Sequence, residues 1–157
     1  MSSAPGSRDA LRASSNYRLA EEPNAVTKIL IATIEGLEKE FPSIDPDRVY
    51  ISGSSMGGFG TWELIMRRPD LFAAAAPVCG GGDDTKAALV AKLPIWMFHG
   101  EKDESVKVEA SRNMYEALKK LGAPVKYREV PGAPHAIGDP TMRPDMLEWM
   151  FQQRRGK

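Results

Sequence analysis

The residues best suited to chemistry begin with a serine placed between glycines. Gly53-Ser54-Ser55-Met56-Gly57 has the form G-x-S-x-G and lies between a predicted strand and a predicted helix. A sharp turn in that position holds its central residue in a strained backbone conformation and lifts the hydroxyl above the edge of a sheet. We therefore predict that Ser55 is a nucleophile for acyl transfer, with small residues required at Gly53 and Gly57.

The same turn predicts where negative charge would be stabilised. The helix that follows Ser55 points its N-terminus at the site, which favours the charge that develops on a carbonyl oxygen. The backbone N–H of Met56 is the predicted oxyanion donor. The alternative interpretation is a Gly/Ser-rich loop that does no chemistry, or one that only binds an anion.

A serine hydroxyl needs a general base, and the chain has two histidines. His135 lies in a loop rich in Pro and Gly after the last predicted strand, where its side chain can reach over the strand ends. The alternative for His135 is an exposed loop histidine. His99 ends a predicted strand and directly precedes Gly100, so we expect it to be packed beneath a turn. His135 is therefore the predicted base.

The base needs an acid that fixes its tautomer and orientation. Asp103 follows the third predicted strand by one tight turn, and Glu101 and Glu104 are rivals by residue type. Asp103 also has a structural explanation, as the N-cap of the next helix. The order Ser55, Asp103, His135 along the chain is the one expected where a G-x-S-x-G turn carries the nucleophile, and it favours Asp103.

The elements that must position these residues alternate between strands and helices. Hydrophobic patterning predicts an α/β fold with about four parallel strands, flanked by helices as a three-layer sandwich. The predicted strands cover residues 49–53, 72–78, 94–99 and 125–130, and the main helices 26–41, 57–68, 110–121 and 141–155. Candidate site residues follow strands, where sites of parallel sheets lie. We expect residues 1–20 to form an irregular arm and residues 21–157 one domain.

Charge and composition exclude several classes of function. Lys plus Arg and Asp plus Glu are equal at 21 each, so a nucleic-acid or anionic-membrane partner is not expected. No apolar run approaches the roughly 18 residues that cross a membrane. Cys79 is the single cysteine, so no intrachain disulfide can form, and with no signal-peptide core near the start we predict a cytoplasmic protein.

The remaining polar residues point to no metal or cofactor. No Cys/His cluster has metal-ligand spacing, and no Gly-rich phosphate loop with a Lys is present. Asp83 and Asp84 follow the second predicted strand, on the side of the site, and we expect them to be solvated loop charges. The three tryptophans are expected in the core.

Residues 47–62 and 68–80 closely resemble the α/β-hydrolase branch of carboxylesterases and polyhydroxybutyrate-depolymerase-like or feruloyl-esterase-like proteins. The segments around Asp103 and His135 resemble the acid and histidine segments of that branch, and the similarity covers roughly residues 23–155. The resemblance implies a minimal α/β-hydrolase domain, carboxylic ester substrates, no cofactor, and Ser55, Asp103 and His135 as the triad.

The chain departs from this branch ahead of the turn that carries Ser55, the nucleophile elbow. Proteins of this fold usually have several strands there and an oxyanion loop often written His-Gly-Gly-Gly, and no such motif precedes Ser55. The strand at residues 49–53 would then have an unpaired edge, which is a template for association. We predict that residues 1–20 or a second copy of the chain cover this edge, with a homodimer preferred. Residues 14–17 are also candidates to bring a polar group to the site.

These features together predict a serine carboxylesterase that forms an acyl-enzyme on Ser55. The absence of a recognisable cap domain favours an open pocket and short acyl chains. Two alternatives remain: an acyltransferase with the same triad, and an inactive relative that serves as a binding or assembly module. A peptidase is less favoured, because amide cleavage demands more transition-state stabilisation than a depleted oxyanion hole supplies.

Overall fold

The computed structural model describes residues 17–137 and 144–156. Its centre is a sheet of four strands whose order in space is the order in the chain, β1-β2-β3-β4. All the pairings are parallel, as predicted. The strands are β1 (Tyr50–Ser54), β2 (Ala74–Val78), β3 (Ile95–Gly100) and β4 (Val125–Val130).

Four α-helices lie between and beside these strands among the described residues. They are α1 (Ala25–Glu40), α2 (Met56–Arg67), α3 (Glu109–Lys120) and α4 (Pro144–Phe151). The side chain of Asn24 starts α1 by accepting a hydrogen bond from the N–H of Thr27 at 2.9 Å, as an N-cap residue does. Short 3₁₀ segments cover Pro46–Arg48, Pro69–Leu71 and Asp84–Val90. The predicted start of α4 at residue 141 lies outside the described residues.

The two faces of the sheet are covered by different helices. On one face, Trp62 and Ile65 of α2 and Met114 and Leu118 of α3 are fully buried in one apolar cluster. On the other face, Met146 and Met150 of α4 pack with Val78 and Phe98. Helices therefore lie on both sides of the sheet, and the predicted three-layer architecture is confirmed.

The alanines of β2 let both helical layers approach the centre of the sheet. Ala74, Ala75 and Ala76 are completely buried, and every residue of β2 is buried. Small side chains on a strand covered on both faces leave room for the large residues of the helices. β2 begins two residues later than predicted, although the N–H of Ala73 already donates to the carbonyl of Val49.

The described end of the arm packs on α2 and does not pair with β1. The Tyr17 hydroxyl donates to Glu63, and Arg67 donates to the carbonyl of Ala20 at 2.8 Å. The N–H of Leu19 donates to Asp83 at 3.0 Å. In the sheet, β1 has β2 as its neighbour on one side and no strand on the other within the described ranges. Residues 17–20 therefore do not cover the edge of β1. Residues 1–16, which belong to the same predicted cover, lie outside the described residues.

α1, which packs against α2, also carries apolar side chains in contact with water. On α1, Val26 is 65% exposed and Ile29 64% exposed, and Leu30, Leu37 and Phe41 are exposed as well. Ile31 and Ile34 of the same helix pack against the core cluster shared by α2 and α3. We call the exposed set Val26, Ile29, Leu30, Leu37 and Phe41 the α1 stripe. Within the described residues, no helix has the length and apolar character needed to span a bilayer.

Candidate active site

Ser55 occupies a strained turn between β1 and α2. Its backbone has φ 56° and ψ −114°, a conformation that costs a residue with a side chain about 1–3 kcal/mol. The turn is fixed from the neighbouring strand, because the N–H of Ser55 donates to the carbonyl of Val78 at 2.9 Å. The prediction of a sharp strand–turn–helix at this serine is confirmed.

Glycines allow the backbones around this turn to approach closely, but not all the predicted ones. A Cβ atom on Gly53 would lie 2.4 Å from the carbonyl oxygen of Gly57. A Cβ on Gly57 would meet no atom within 4 Å beyond its own helix backbone, so no close contact requires glycine itself there. The tight position is Gly58, where a Cβ would lie 2.4 Å from the carbonyl oxygen of Val78. Gly80, after β2, packs against Gly58 from the other side.

The three side chains predicted to act together are in hydrogen-bond contact. Nε2 of His135 lies 2.7 Å from Oγ of Ser55. Nδ1 of the same ring lies 2.6 Å from Oδ2 of Asp103. Asp103 is buried and His135 is partly exposed. A base bonded to the hydroxyl on one side and to a buried carboxylate on the other is the geometry that activates a serine.

Backbone donors keep the Asp103 carboxylate charged. Oδ1 accepts the N–H of Val106 at 2.8 Å and of Ser105 at 2.9 Å. Burial by itself would raise the pKa of Asp103, but the donors from Val106, His135 and Ser105 outweigh it, and the pKa is lowered. Asp103 caps this turn rather than α3, whose N-cap is Val108, so the alternative of a helix N-cap was wrong.

The rival acids lie elsewhere. Glu101 and Glu104 are exposed. Glu101 accepts the N–H of Gly132 at 2.6 Å, so it ties down the loop that carries His135. Sequence reasoning missed this role; the signal was the position of Glu101 directly after the strand, facing the next strand's loop.

The histidine loop, residues 131–137, is built against the turn that carries the acid. The N–H of Lys102 donates to the carbonyl of Ala133 at 2.9 Å. Gly100 has no room for a side chain, because a Cβ would lie 2.3 Å from the carbonyl oxygen of Pro134. The thiol of Cys79 donates to the carbonyl of His135 at 3.4 Å. These contacts carry the loop from the end of β4, past β3 and β2, to Ser55.

His99 is packed beneath the site, as predicted. Its side chain is fully buried, with Nδ1 2.7 Å from Oγ of Ser111 and Nε2 2.9 Å from the carbonyl of Val106. Burial is the main cause that lowers its pKa. Both ring nitrogens are occupied within the protein, so His99 is not available as the base.

The predicted oxyanion donor lies at the N-terminus of α2. Met56 is the first residue of α2, and its N–H therefore belongs to the group that has no partner inside the helix. It directly follows Ser55 in the chain. The Met56 side chain is 76% exposed, so it lies at the rim of the site.

One group of described residues offers metal-ligand atoms in close proximity. Atoms of Cys79, Asp103 and His135 all lie within 4.8 Å of one another. Burial raises the pKa of the Cys79 thiol to about 11, so it stays protonated near neutral pH. The other two side chains are already hydrogen-bonded to each other. This set fits a charge-stabilised histidine better than a cation, which would need the thiolate.

Asp83 differs from the predicted solvated loop charge. It is 2% exposed and accepts hydrogen bonds from the N–H of Leu19 and from the N–H and hydroxyl of Thr85. Asp84 is partly exposed and pairs with Arg18. Asp83 therefore anchors the described end of the arm to the loop after β2.

The tryptophan prediction holds fully for Trp62, whereas Trp96 and Trp149 are partly exposed beside Lys126.

A parallel sheet with a strained serine between strand and helix places this protein in the α/β-hydrolase fold class. A crystal structure of a thermostable esterase superposes with a TM-score of 0.81 at 42% identity, covering 85% of this chain and 38% of that one. The chain belongs to the Dienelactone hydrolase family, which it matches over residues 4–145.

Two curated relatives place the chain further. Carboxylesterase SOBER1 of Arabidopsis thaliana is 25% identical over 118 residues, 71% of this chain and 51% of that protein. An uncharacterized secreted protein of Arthroderma benhamiae is 34% identical over 122 residues, 59% of this chain and 13% of that protein. The chain thus spans about half the length of the first and a small part of the second.

Proposed function

We propose that this protein is a serine carboxylesterase in which Ser55, His135 and Asp103 form the catalytic triad. The observation that carries the proposal is the unbroken line of contacts from Oγ of Ser55 through the His135 ring to Oδ2 of Asp103, at 2.7 and 2.6 Å. Membership of the Dienelactone hydrolase family supports it, as does the likeness to proteins named carboxylesterase and esterase.

The proposed reaction passes through an acyl-enzyme. Nε2 of His135 takes the hydroxyl proton as Oγ of Ser55 bonds to the ester carbonyl carbon. The carbonyl oxygen becomes an oxyanion, which the N–H of Met56 and the N-terminus of α2 stabilise. The C–O bond to the alcohol then breaks, and the alcohol leaves with the proton from His135. Water repeats the sequence on the acyl group and releases the carboxylic acid and free Ser55.

An open site favours small acyl groups in this proposal. Ser54 and Met56 are exposed on one side of the nucleophile, and His135 is partly exposed on the other. Little apolar wall surrounds these residues in the described part of the chain, so a long acyl chain would gain little from burial. We therefore propose short-chain esters as substrates.

The test is hydrolysis of p-nitrophenyl acetate, butyrate and octanoate by the wild-type protein, S55A and S54A. Ser54 is the exposed neighbour of Ser55, and its loss is the matched control. We expect S55A to lose turnover, S54A to keep it, and acetate to be the best substrate. Equal activity in S55A and the wild type would refute the nucleophile, and a preference for octanoate would refute the open pocket.

Two alternatives are separated by the same assay. An acyltransferase would form a transesterified product when an alcohol is supplied, whereas an esterase would form mainly the free acid. A binding or assembly module would show no turnover in any of the three proteins.

We also propose that a second copy of the chain covers β1 and the α1 stripe. β1 has no charged residue, and its outer backbone groups have no strand partner within the described residues. A two-fold axis through this edge would pair β1 with its counterpart and bring the two stripes together. Sedimentation equilibrium tests this: a dimer that L37K and I29K dissociate is expected, and a monomer at all concentrations would refute it.

A cytoplasmic location stays a prediction. The buried, reduced state of Cys79 is compatible with it, and fractionation of the producing cells would decide between it and secretion.

A further inference from the structure

His99 is a buried titratable group that the proposed reaction does not use. It is the last but one residue of β3, four residues before Asp103, and no part of its side chain is exposed. Its ring lies between α3, which supplies Ser111, and the acid turn, which supplies Val106 and Asp103. A fully buried imidazole with both nitrogens in polar contact must have a defined tautomer.

The contacts of the ring determine which nitrogen carries the proton. Nε2 lies 2.9 Å from the carbonyl oxygen of Val106 and 3.2 Å from Oδ2 of Asp103. The carbonyl oxygen can only accept a hydrogen bond, and so can Oδ2 when the Asp103 carboxyl is ionised. Nε2 is therefore the N–H; it donates to the carbonyl of Val106, and Oδ2 of Asp103 lies 3.2 Å from it. Nδ1 is left as the acceptor of the Ser111 hydroxyl at 2.7 Å, and the same hydroxyl lies 3.3 Å from the carbonyl of Gly80.

The charged groups around the ring do not overcome its burial. Asp103 faces His99 from the acid turn, His135 from the histidine loop, and Glu129 from the paired position on β4. Asp103 favours the protonated ring, and His135 opposes it. Burial is the largest influence and lowers the pKa of His99. The ring is thus a neutral donor near neutral pH.

We propose that His99 is a positioning residue that holds Asp103 for catalysis as a neutral N–H donor; this inference rests on the proposed function. Oδ1 of Asp103 accepts two backbone N–H groups, and Oδ2 lies 2.6 Å from Nδ1 of His135 and 3.2 Å from Nε2 of His99. The His99 donor fixes Oδ2 in place without adding a positive charge. A cation there would compete with the imidazolium that forms on His135 during the reaction.

Removing this donor has a kinetic consequence that a simple packing defect does not have. In H99L, Oδ2 would lose one donor, and its charge would attract the protonated His135 ring more strongly. We expect kcat on p-nitrophenyl acetate to fall about tenfold to a hundredfold with little change in KM. The acidic limb of the kcat/KM profile should move to higher pH by about half a unit.

Two further variants separate the donor from the volume of the ring. H99Q keeps an uncharged N–H donor, and we expect it to recover most of kcat and the wild-type position of the acidic limb. S111A keeps His99 and its Nε2–H but removes the hydrogen-bond partner of Nδ1, so we expect a loss of only a few-fold. If H99L does not fold, as judged by circular dichroism, H99Q and S111A still carry the test.

Nuclear magnetic resonance gives a readout that does not depend on turnover. The chain has two histidines, so ¹⁵N-labelled imidazole spectra of the wild type and H99Q assign both rings. We expect His99 as the neutral Nε2–H tautomer near neutral pH, in S111A as well as in the wild type, because Nε2 faces only acceptors in both.

The outcomes are distinguishable. Equal kcat and equal acidic limbs in H99L and H99Q would overturn the proposal, as would an Nδ1–H tautomer or an imidazolium at pH 7. If the wild-type protein hydrolysed no ester, the proposed function would fail on its own. The tautomer of His99, and the effect of H99L on the NMR titration of His135, would then still decide whether His99 supports Asp103.

Discussion

The two edge strands of the described sheet differ in the charge of their side chains. β4 alternates exposed charged residues, Lys126 and Arg128, with inward side chains, and Glu129 pairs with Arg112 of α3. β1 carries Tyr50, Ile51, Ser52, Gly53 and Ser54, with no charge at all. Charged side chains protect an edge from pairing with another strand. β4 is thus protected as an edge strand, whereas β1 has the uncharged composition of an inner strand, which pairs with a strand on each side.

Both edges nevertheless contribute to one site. Ser55 follows β1 and His135 follows β4, and the histidine loop crosses the ends of the two central strands to join them. The nucleophile is held by backbone strain and close glycine contacts, and the base by hydrogen bonds from the acid turn. The turn at Ser55 therefore tolerates no change of backbone conformation, whereas the position of His135 depends on its polar partners.

The largest expected effect comes from Asp103, which joins the base to the central strand β3. D103N should keep the fold but lower kcat by about 10⁴-fold, because an amide can hold the wrong tautomer of His135. Steady-state kinetics on p-nitrophenyl acetate would measure this. E104Q, a change at the exposed neighbouring acid, is the control and should stay near wild type. A D103N variant with only a few-fold loss would mean that the base is oriented by other groups.

The next effect tests the strained turn between β1 and α2. G58A should lower the free energy of unfolding by about 3 kcal/mol, because its Cβ would collide with the backbone of Val78. G57A, at the next position of the same helix, should be neutral or more stable by up to about 1 kcal/mol. Chemical denaturation measures both. Similar losses in the two variants would show that the close approach at Gly58 is not what fixes the elbow.

A smaller effect concerns the arm that packs on α2 instead of β1. Burial alone would raise the pKa of Asp83, but donors from Thr85 and Leu19 lower it. A lowered native pKa gives stability that is present above the unfolded value of about 4 and is lost as pH falls through the native value. D83N should cost about 1–3 kcal/mol at pH 7, and its difference from the wild type should shrink below pH 4.

Urea unfolding at pH 7, 5 and 3 would follow this difference. D84N, at the partly exposed neighbour, should change stability by less than about 0.5 kcal/mol. A D83N difference that stayed constant down to pH 3 would show that the charge of Asp83 does not hold the arm.

The smallest expected effect is on the monomer's own stability at the α1 stripe. I29A should change the free energy of unfolding by less than about 0.5 kcal/mol at concentrations where the chain is monomeric. I34A, on the packed side of the same helix, should cost about 1–3 kcal/mol. Equal costs would mean that Ile29 is buried in the monomer. That result would remove the contrast between the two flanks of the sheet.

The sequence was sufficient for the sheet and for the proximity of Ser55, Asp103 and His135, because local signals determine both. Parallel strands follow from alternating strand and helix patterns, and Ser55, Asp103 and His135 each follow a strand. The tight position at Gly58 was not predicted, since its clash comes from Val78 of β2, which is distant in sequence. Asp83 was misjudged for the same reason: its donors include the N–H of Leu19, 64 residues away. The contacts that complete a buried polar group are not visible in local patterning.

The agreement between strand order and chain order has a consequence for assembly. Each strand of the described sheet pairs with the strand before it, so the sheet can grow in one direction, one strand–helix unit at a time. The elbow at Ser55 needs only the first pair of strands, whereas His135 arrives after the last. During refolding, ester turnover should therefore appear later than the helical signal, and its delay would time the arrival of β4 and its loop.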